Sequence, residues 1–329
     1  MKKLFKLAYI LFAASIVFGG CAKREEDVSQ ETFNELQDKV VSVEELRYLT
    51  QKKYNDCIGE EGNQFLMEAD VMIPEKISTG KVSASLPTPN EIEKMFCNNQ
   101  KLKEVEVDDQ VFEWQLFDED GNIKKVYSFD DISALYTDHE VSGNTIDLEL
   151  LNSAEKSEEY DEKQINMAKQ VLNDLDYSVE EKTKEYISNE DHFSLTIRYA
   201  VLIDHVPVVE PELGTDYTHV VIHDDIVTQV GLAKKYHLIE SENTKVLPLE
   251  ELVTHVKNLY NDGMIQLPSE KINQIQLMYY VDSEEDLIPV WTFFADIFDE
   301  GQESVIAIFD ARTGDMLYDE VNGKATINE

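Results

Sequence analysis

The first twenty residues decide which part of this chain has to fold. Lys2, Lys3 and Lys6 are followed by twelve uncharged, mostly apolar residues at positions 7–18. A helix needs about 20 apolar residues to cross a hydrocarbon core, so this segment is too short for a membrane span. A charged start and a short apolar middle are typical of an export signal. We therefore expect residues 1–20 to be a leader, and the rest of the chain to fold outside the cytoplasm.

Cys21 directly follows Phe18-Gly19-Gly20, and this sequence resembles the lipobox of bacterial lipoproteins. The resemblance implies cleavage before Cys21 and a diacylglyceryl anchor on its thiol. Two acyl chains would hold the protein at the outer face of the cytoplasmic membrane. Phe18 departs from the usual pattern, in which Leu is commoner. The alternatives are a plain secretory signal or an uncleaved anchor, and in both Cys21 has no role.

The charge of the chain is strongly negative. It contains 29 Lys and Arg against 67 Asp and Glu, a net charge of −38 in 329 residues. This leaves no basic surplus to displace counterions from a phosphate backbone, which argues against nucleic acid as a partner. The leader carries three lysines and no acid, so its removal would bring the charge to −41. We expect a solvated acidic surface that anionic lipid repels.

Two cysteines remain after Cys21, and both lie in the first third of the chain. In an exported protein an even pair suggests a disulfide, here between Cys57 and Cys97. Such a bond would close a loop of about forty residues and stabilise the fold by about 3–4 kcal/mol in the chain-entropy model. Two free thiols that pack as small hydrophobic side chains are the alternative.

Periodicity predicts an α+β fold of small antiparallel sheets packed with helices. Beyond the leader we expect a tether at 21–41, an N-terminal α+β region at 42–155 and a C-terminal α+β region at 156–329. Capping-box patterns at Ser42/Glu45 and Thr88/Glu91 predict helices. In the C-terminal region a helical pattern followed by three strand-like runs occurs twice, which predicts two helix-plus-strands units.

The end of the second unit resembles a known module. Ile288-Pro289-Val290-Trp291, a strand, and then Asp310-Ala311-Arg312-Thr313-Gly314-Asp315 are similar to the closing strands of PepSY-type modules, which occur in exported bacterial proteins. Such a turn also suits any hairpin, since Asp310 can cap it and Gly314 can adopt a positive φ.

More broadly, Cys21 and segments 69–74, 204–208 and 272–281 are similar to uncharacterised lipoproteins of Firmicutes, a family with no known activity. That family usually has Gly where this chain has His205 and Asp225. We expect those turns to differ.

No segment matches a catalytic or phosphate-binding motif, and we predict no catalytic residue, cofactor or metal site. His219 and His223 would lie about 13 Å apart along a strand, too far for one metal ion. Asp118-Glu119-Asp120-Gly121-Asn122 resembles part of a calcium loop, but its twelfth position is Phe129 rather than Glu. A hairpin turn with Gly121 at positive φ explains it better. Trp291, Phe293 and Phe294 suggest core, with an aromatic sugar platform as the alternative.

The sequence thus predicts a membrane-anchored lipoprotein that binds or regulates a peptide or envelope protein without catalysis. Exposed strand edges in such modules could pair with an extended chain. An envelope hydrolase with a site assembled from distant residues is the alternative. A solute-binding lipoprotein fits the anchor but would need parallel βαβ units, which the order of elements does not show.

Overall fold

The computed structural model describes most of the chain after the predicted tether. The described residues are 36, 38–58, 65–108, 111–142, 155–156, 162–188, 193–211, 213–223, 225–263, 271–296, 303–319 and 323–324. The helices are α1 (Val43–Leu49), α2 (Pro89–Phe96), α3 (His139–Ser142), α4 (Glu162–Asp174) and α5 (Leu249–Asn261). Within the described ranges no helix is long and apolar enough to cross a membrane.

Strands make up most of the described residues. They are β1 (Val41–Ser42), β2 (Lys53–Ile58), β3 (Phe65–Met72), β4 (Ser78–Ser85), β5 (Lys103–Asp108), β6 (Val111–Phe117), β7 (Ile123–Phe129), β8 (Ser133–Asp138), β9 (Glu155–Lys156), β10 (Val179–Ser188), β11 (Phe193–Ile203), β12 (Val206–Pro207), β13 (Thr218–His223), β14 (Ile226–Ala233), β15 (Lys235–Asn243), β16 (Lys245–Val246), β17 (Ile272–Val281), β18 (Asp286–Asp296), β19 (Glu303–Asp310), β20 (Met316–Asp319) and β21 (Gly323–Lys324).

The strands form two large sheets and one short pair. The first sheet has ten strands in the order β5-β6-β7-β8-β14-β13-β11-β10-β9, with β12 beside β11. The second has nine, in the order β2-β3-β17-β18-β19-β20-β21, with β4 paired to β18 and β15 paired to β4. The short pair joins β1 to β16. Most pairs are antiparallel, but β3 and β17 run parallel.

The predicted fold class was therefore wrong. The chain is β-rich with large sheets, not an α+β protein of small sheets packed with helices. Helices do precede strands at α4 and α5, but the strands after α4 continue the sheet of β5–β8, since β14 pairs with β8 through Gln229 and Thr137. Local periodicity predicts a strand, whereas the size of a sheet depends on pairing between distant segments.

The chain divides into two compact units, and neither of them is one continuous segment. One unit comprises residues 1–75, 244–276 and 293–329, and the other comprises 76–243 and 277–292. The pairing of β8 with β14 joins segments from both sides of residue 155 in one sheet. Each unit is therefore built from segments that are discontinuous in the chain.

In the first unit, α5 and a tight turn follow local sequence signals. Pro248 is the N-cap of α5, and Gly263 ends it with a φ of +71°. The buried face of the helix carries Leu249, Leu252, Val253 and Val256. At the end of β19, the Asp310 carboxylate accepts a hydrogen bond from the Arg312 amide at 2.8 Å, and Gly314 has a φ of +82°. The predicted chemistry of this turn is confirmed.

The second unit contains the whole ten-stranded sheet. The predicted capping box of α2 is present, since Thr88 and Glu91 each accept a hydrogen bond from the backbone amide of the other. Tyr127, Tyr136 and Tyr199 are fully buried on the sheet. The Tyr127 hydroxyl donates to the Pro87 carbonyl directly before the helix. A buried phenol with a partner is both a large apolar contact and a satisfied polar group.

Three runs of the sequence whose apolar pattern predicts one strand each are hairpins in the structure. Residues 105–117 form β5 and β6, residues 193–209 are interrupted after β11, and residues 217–232 form β13 and β14. At the second break Asp204 and His205 have φ values of +47° and +67°, and at the third Asp225 has +64°. These non-glycine residues adopt the left-handed conformation that a two-residue hairpin turn requires. His205 and Asp225 therefore occupy positions whose positive φ glycine adopts most readily.

Candidate functional site

The strand β15 combines a buried beginning with an exposed remainder. Lys235 and Tyr236 are buried, and the seven residues that follow are all exposed. The strand pairs antiparallel with β4, in a register that runs from Lys235↔Ser85 to Asn243↔Ser78. Among the described residues no strand pairs with its other edge. Its backbone is therefore available to a further strand.

The buried beginning is held by polar contacts. The Lys235 ammonium donates to the Leu175 carbonyl at 2.8 Å and lies 3.5 Å from a carboxylate oxygen of Glu91. It also lies 5.9 Å from the centre of the Tyr177 ring. A buried ammonium needs such partners, because burial without them would cost several kcal/mol (about 3–5).

The hydroxyl of the next residue, Tyr236, donates a hydrogen bond to Oε1 of Glu210. Burial and the neighbouring Glu210 carboxylate both raise the pKa of Tyr236 far above its usual range. The phenol therefore stays protonated and acts as a donor. Lys235 and Tyr236 together fix where the strand leaves the core.

A small cavity lies beside Tyr236. Its lining includes Val208, Glu210, Thr215 and Tyr217. The cavity has about the volume of one water molecule. It can hold a water near the Glu210–Tyr236 pair, but it is too small for a sugar or a peptide side chain.

The exposed part of β15 contains a bulge. The pairing register shifts between Leu238 and Glu240, so Ile239 has no partner residue on β4. Ile239 is 65% exposed and Leu238 is 40% exposed. Bulges on edge strands reduce uncontrolled pairing between molecules. The bulge leaves two apolar side chains on an otherwise polar edge.

Gly80 on β4 leaves space for this bulge, because it has no side chain. A Cβ at position 80 would lie 2.0 Å from the Glu240 carbonyl oxygen, far inside contact distance. β4 is itself tied to the 282–287 turn: the Lys81 ammonium lies 2.7 Å from Asp286, and the Thr79 hydroxyl donates to the Leu287 carbonyl at 3.0 Å. The ribbon of β4 and β15 is thus supported along one side, while β15 stays open on the other.

Charge on the open edge is mainly negative. Beyond the bulge Glu240 and Glu242 lie on the same face, since side chains two residues apart in a strand point the same way. Before it, the His237 ring is 3.6 Å from the Asp176 carboxylate. The arrangement offers backbone hydrogen bonds, two apolar side chains and two carboxylates to an extended cationic segment.

The predicted site residues are distributed as follows. Cys21 lies outside the described residues. Cys57 is exposed on β2, and Cys97 is buried at the C-terminal cap of α2. Both are free cysteines, so the candidate disulfide is not formed in this structure. Burial raises the pKa of the Cys97 thiol, which keeps it protonated.

The calcium-like segment forms a hairpin turn. Oδ1 of Asp118 accepts from the amides of Asp120 and Asn122 at 2.9 and 2.8 Å, and Oδ2 accepts from the Asn122 side chain at 2.9 Å. These hydrogen bonds, led by that of the Asn122 side chain, lower the pKa of Asp118. Gly121 has a φ of +86°, as the turn explanation requires. The Asp118 oxygens are therefore occupied by the turn itself.

The two histidines of β13 have separate surroundings. His219 Nδ1 lies 2.7 Å from the Tyr217 carbonyl oxygen, and Nε2 lies 3.1 Å from Nε2 of Gln229. His223 pairs across the sheet with Ser194 and Ile226 instead. In the described part of the chain no three His, Cys, Asp or Glu side chains cluster in a way that could hold a metal.

Trp291, Phe293 and Phe294 are buried, with exposures of 0%, 0% and 1%. The core interpretation is confirmed and the sugar platform is wrong.

Sequence reasoning missed β15 itself. A strand is recognised by the alternation of apolar and polar residues, which two consecutive buried residues and a bulge interrupt in β15. Its only apolar residues are Tyr236, Leu238 and Ile239.

Comparison with known proteins supports the fold but no activity. No protein-family model matches the chain, and no curated protein matches it significantly. Among solved structures it is similar to an uncharacterized protein from Eubacterium rectale ATCC 33656, with a TM-score of 0.50 and 13% identity over 87% of this chain and 97% of that chain. At this identity the similarity concerns the β-rich fold alone.

Proposed function

We propose that this protein is an extracytoplasmic lipoprotein that binds an extended cationic peptide, or such a segment of an envelope protein, by strand addition at β15. The leader-like residues 1–20 and the lipobox-like Cys21 support a diacylglyceryl anchor at the outer face of the cytoplasmic membrane. The uncharacterised Firmicutes lipoproteins that it resembles fit the same location. Binding without catalysis is the role that the described surfaces support best.

The observation that carries the proposal is the open edge of β15. Seven consecutive exposed residues follow an anchored beginning, and the other edge is held by β4. An added strand would gain main-chain hydrogen bonds, while Leu238 and Ile239 would offer apolar contact. Glu240 and Glu242 favour lysine or arginine at alternate positions of the ligand.

The binding test uses a labelled peptide of about eight alternating lysine and valine residues, a common strand length. The protein is the chain from residue 21 with Cys21→Ser, and anisotropy is the readout. We expect binding at least about tenfold tighter than that of a glutamate–valine peptide, because the edge is acidic. Alternate N-methylation of the cationic peptide should abolish binding, since it removes the main-chain donors.

A pair of variants tests whether the peptide binds at this edge. Ile239→Lys adds a cation to the strand edge and should weaken binding about tenfold or more. Ile226→Lys is the matched control on β14, where Ile226 is 47% exposed, and should leave binding unchanged. Equal effects of the two variants, or equal binding of both peptides, would contradict the proposal. Cleavage of the peptide would contradict its non-catalytic part.

The anchor is tested separately in cells that express the full chain. Metabolic labelling with an alkyne fatty acid should mark the wild-type protein and not Cys21→Ala. An unlabelled wild-type protein released into the medium would support the plain secretory signal instead.

A further inference from the structure

A group of exposed side chains at the end of α1 differs in charge from the rest of the chain. Residues 47–53 read Arg-Tyr-Leu-Thr-Gln-Lys-Lys, with three cations and no acid, whereas the whole chain has 67 acids and 29 bases. We use the name α1 patch for Arg47, Tyr48, Leu49, Lys52 and Lys53, all of which are exposed.

The apolar members of the α1 patch are unusually open to solvent. Tyr48 is 85% exposed and Leu49 is 52% exposed. The helix buries Val43 and Leu46, whereas Arg47, Tyr48 and Leu49 at its C-terminal end are exposed. Tyrosine rings prefer the headgroup level of a bilayer, and leucine beside cations is typical of protein surfaces that lie at a membrane interface.

The cations of the α1 patch are available to a ligand. In the described part of the chain Arg47 and Lys52 have no ion-pair partner within 4 Å. The Lys53 ammonium lies 3.0 Å from Asp70, but both side chains are well exposed, at 77% and 65%. Exposed pairs of this kind are weak and exchange readily.

The acids that precede the α1 patch in sequence lie at the opposite end of α1. Glu44 and Glu45 lie in its first turn, and the Ser42 hydroxyl caps the Glu45 amide at 3.2 Å. Negative charge is stabilised at a helix N-terminus. The positive side chains follow at the C-terminal end, so an anionic surface would meet that end of α1.

Chain length keeps the α1 patch near the anchor. Fifteen residues lead from Cys21 to Leu36, which can span at most about 50 Å. From Val43 the helix extends about 10 Å to Leu49. A lipid on Cys21 would therefore convert a weak headgroup contact into an intramolecular one with a high effective concentration.

We propose that the α1 patch contacts anionic lipid headgroups of the membrane that holds Cys21. This inference rests on the lipid anchor of the proposed function. Each cation near an anionic surface strengthens the contact about fivefold. The contact would hold this unit against a membrane that repels most of the acidic surface.

The test attaches the chain chemically, so that it does not depend on lipidation in cells. The chain from residue 21, with Cys57→Ser, is coupled through Cys21 to a maleimide lipid in vesicles of about one third phosphatidylglycerol in phosphatidylcholine. The phosphatidylcholine is brominated near the top of its acyl chains and quenches nearby tryptophan. Tyr48→Trp is the reporter, Ile239→Trp is the matched exposed control, and the signal of the parent chain is subtracted.

We expect quenching of the tryptophan at 48 to exceed that at 239 by about threefold or more. Arg47→Gln with Lys52→Gln and Lys53→Gln should abolish the excess, as should about 0.5 M salt. These glutamines are at exposed positions, and unchanged circular dichroism and melting temperature check the fold. Equal quenching at both positions, or equal quenching in vesicles without phosphatidylglycerol, would overturn the inference. Absent fatty-acid labelling in cells would overturn the anchor of the proposed function, and the vesicle result would distinguish that failure from a failure of the contact itself.

Discussion

Within β15 the first two residues are buried and the next seven are exposed. Lys235 and Tyr236 have their polar atoms paired with Leu175, Glu91 and Glu210. The exposed part has one paired edge and one open edge. The buried end should therefore contribute to stability, and the exposed end to binding. The difference shows how a protein can keep an open edge without losing the strand that carries it.

The largest effect is expected at the buried end. Lys235→Met removes the donor to Leu175 and the cation near Glu91, so the free energy of unfolding should fall by about 2–4 kcal/mol. Urea denaturation measures it. Lys81→Met on β4 is the control, because the side chains of Lys81 and Asp286 are 40% and 41% exposed and a solvated pair of this kind contributes little to stability. Its unfolding midpoint should stay close to that of the wild type. Equal losses of unfolding free energy in both variants would contradict the conclusion that the buried end of β15 contributes to stability.

Gly80→Ala should have the next largest effect, since it tests the support of the exposed end. The added Cβ would overlap the Glu240 carbonyl oxygen, and we expect a loss of about 1–3 kcal/mol together with weaker peptide binding. Gly121→Ala is a control without a steric neighbour. An alanine at position 121 is strained only by the positive φ, so the free energy of unfolding should fall by about 1 kcal/mol, and peptide binding should not change. Unchanged peptide binding by Gly80→Ala would mean that the bulge does not shape the edge.

A smaller effect concerns pH. Burial opposes the charge of Glu91, but hydrogen bonds from Thr88 and the nearby Lys235 together lower its pKa below the usual 4.5. The folded protein therefore binds this proton less tightly than the unfolded chain. The stabilisation is present above about pH 4.5 and is lost as the pH falls through the folded-state pKa.

Urea midpoints measured between about pH 6 and 3.5 should fall less steeply in Lys235→Met than in the wild type. Lys81→Met should keep the wild-type slope. If both variants have the wild-type slope, Lys235 does not stabilise the Glu91 carboxylate.

Much of the local structure could be predicted because its chemistry is local. Thr88 and Glu91 form a capping box within one turn of helix, and Asp118 and Gly121 form a hairpin turn within five residues. In both, the side chain that satisfies the backbone lies within a few residues of it in sequence. Such signals do not depend on the rest of the fold.

The sheets and the candidate site could not be predicted in this way. The pairing of Gln229 with Thr137 joins residues more than ninety positions apart, and no local period encodes it. The turn at Asp225 has a positive φ without a glycine, so the sequence contains little to indicate a turn between β13 and β14. In β15 the bulge at Ile239 disrupts the alternation that identifies a strand.

The smallest change in stability is expected at the exposed end, where the effect on binding should be large. Ile239 is 65% exposed and has no partner residue on β4. Ile239→Lys therefore buries no charge and breaks no pair, and the free energy of unfolding should change by no more than about 0.5 kcal/mol. Urea denaturation of the variant used for peptide binding measures this. A loss of more than about 1 kcal/mol would mean that Ile239 packs in the fold, and reduced peptide binding would then report unfolding instead of a blocked edge. Intact stability with weakened binding would assign the exposed end of β15 to recognition.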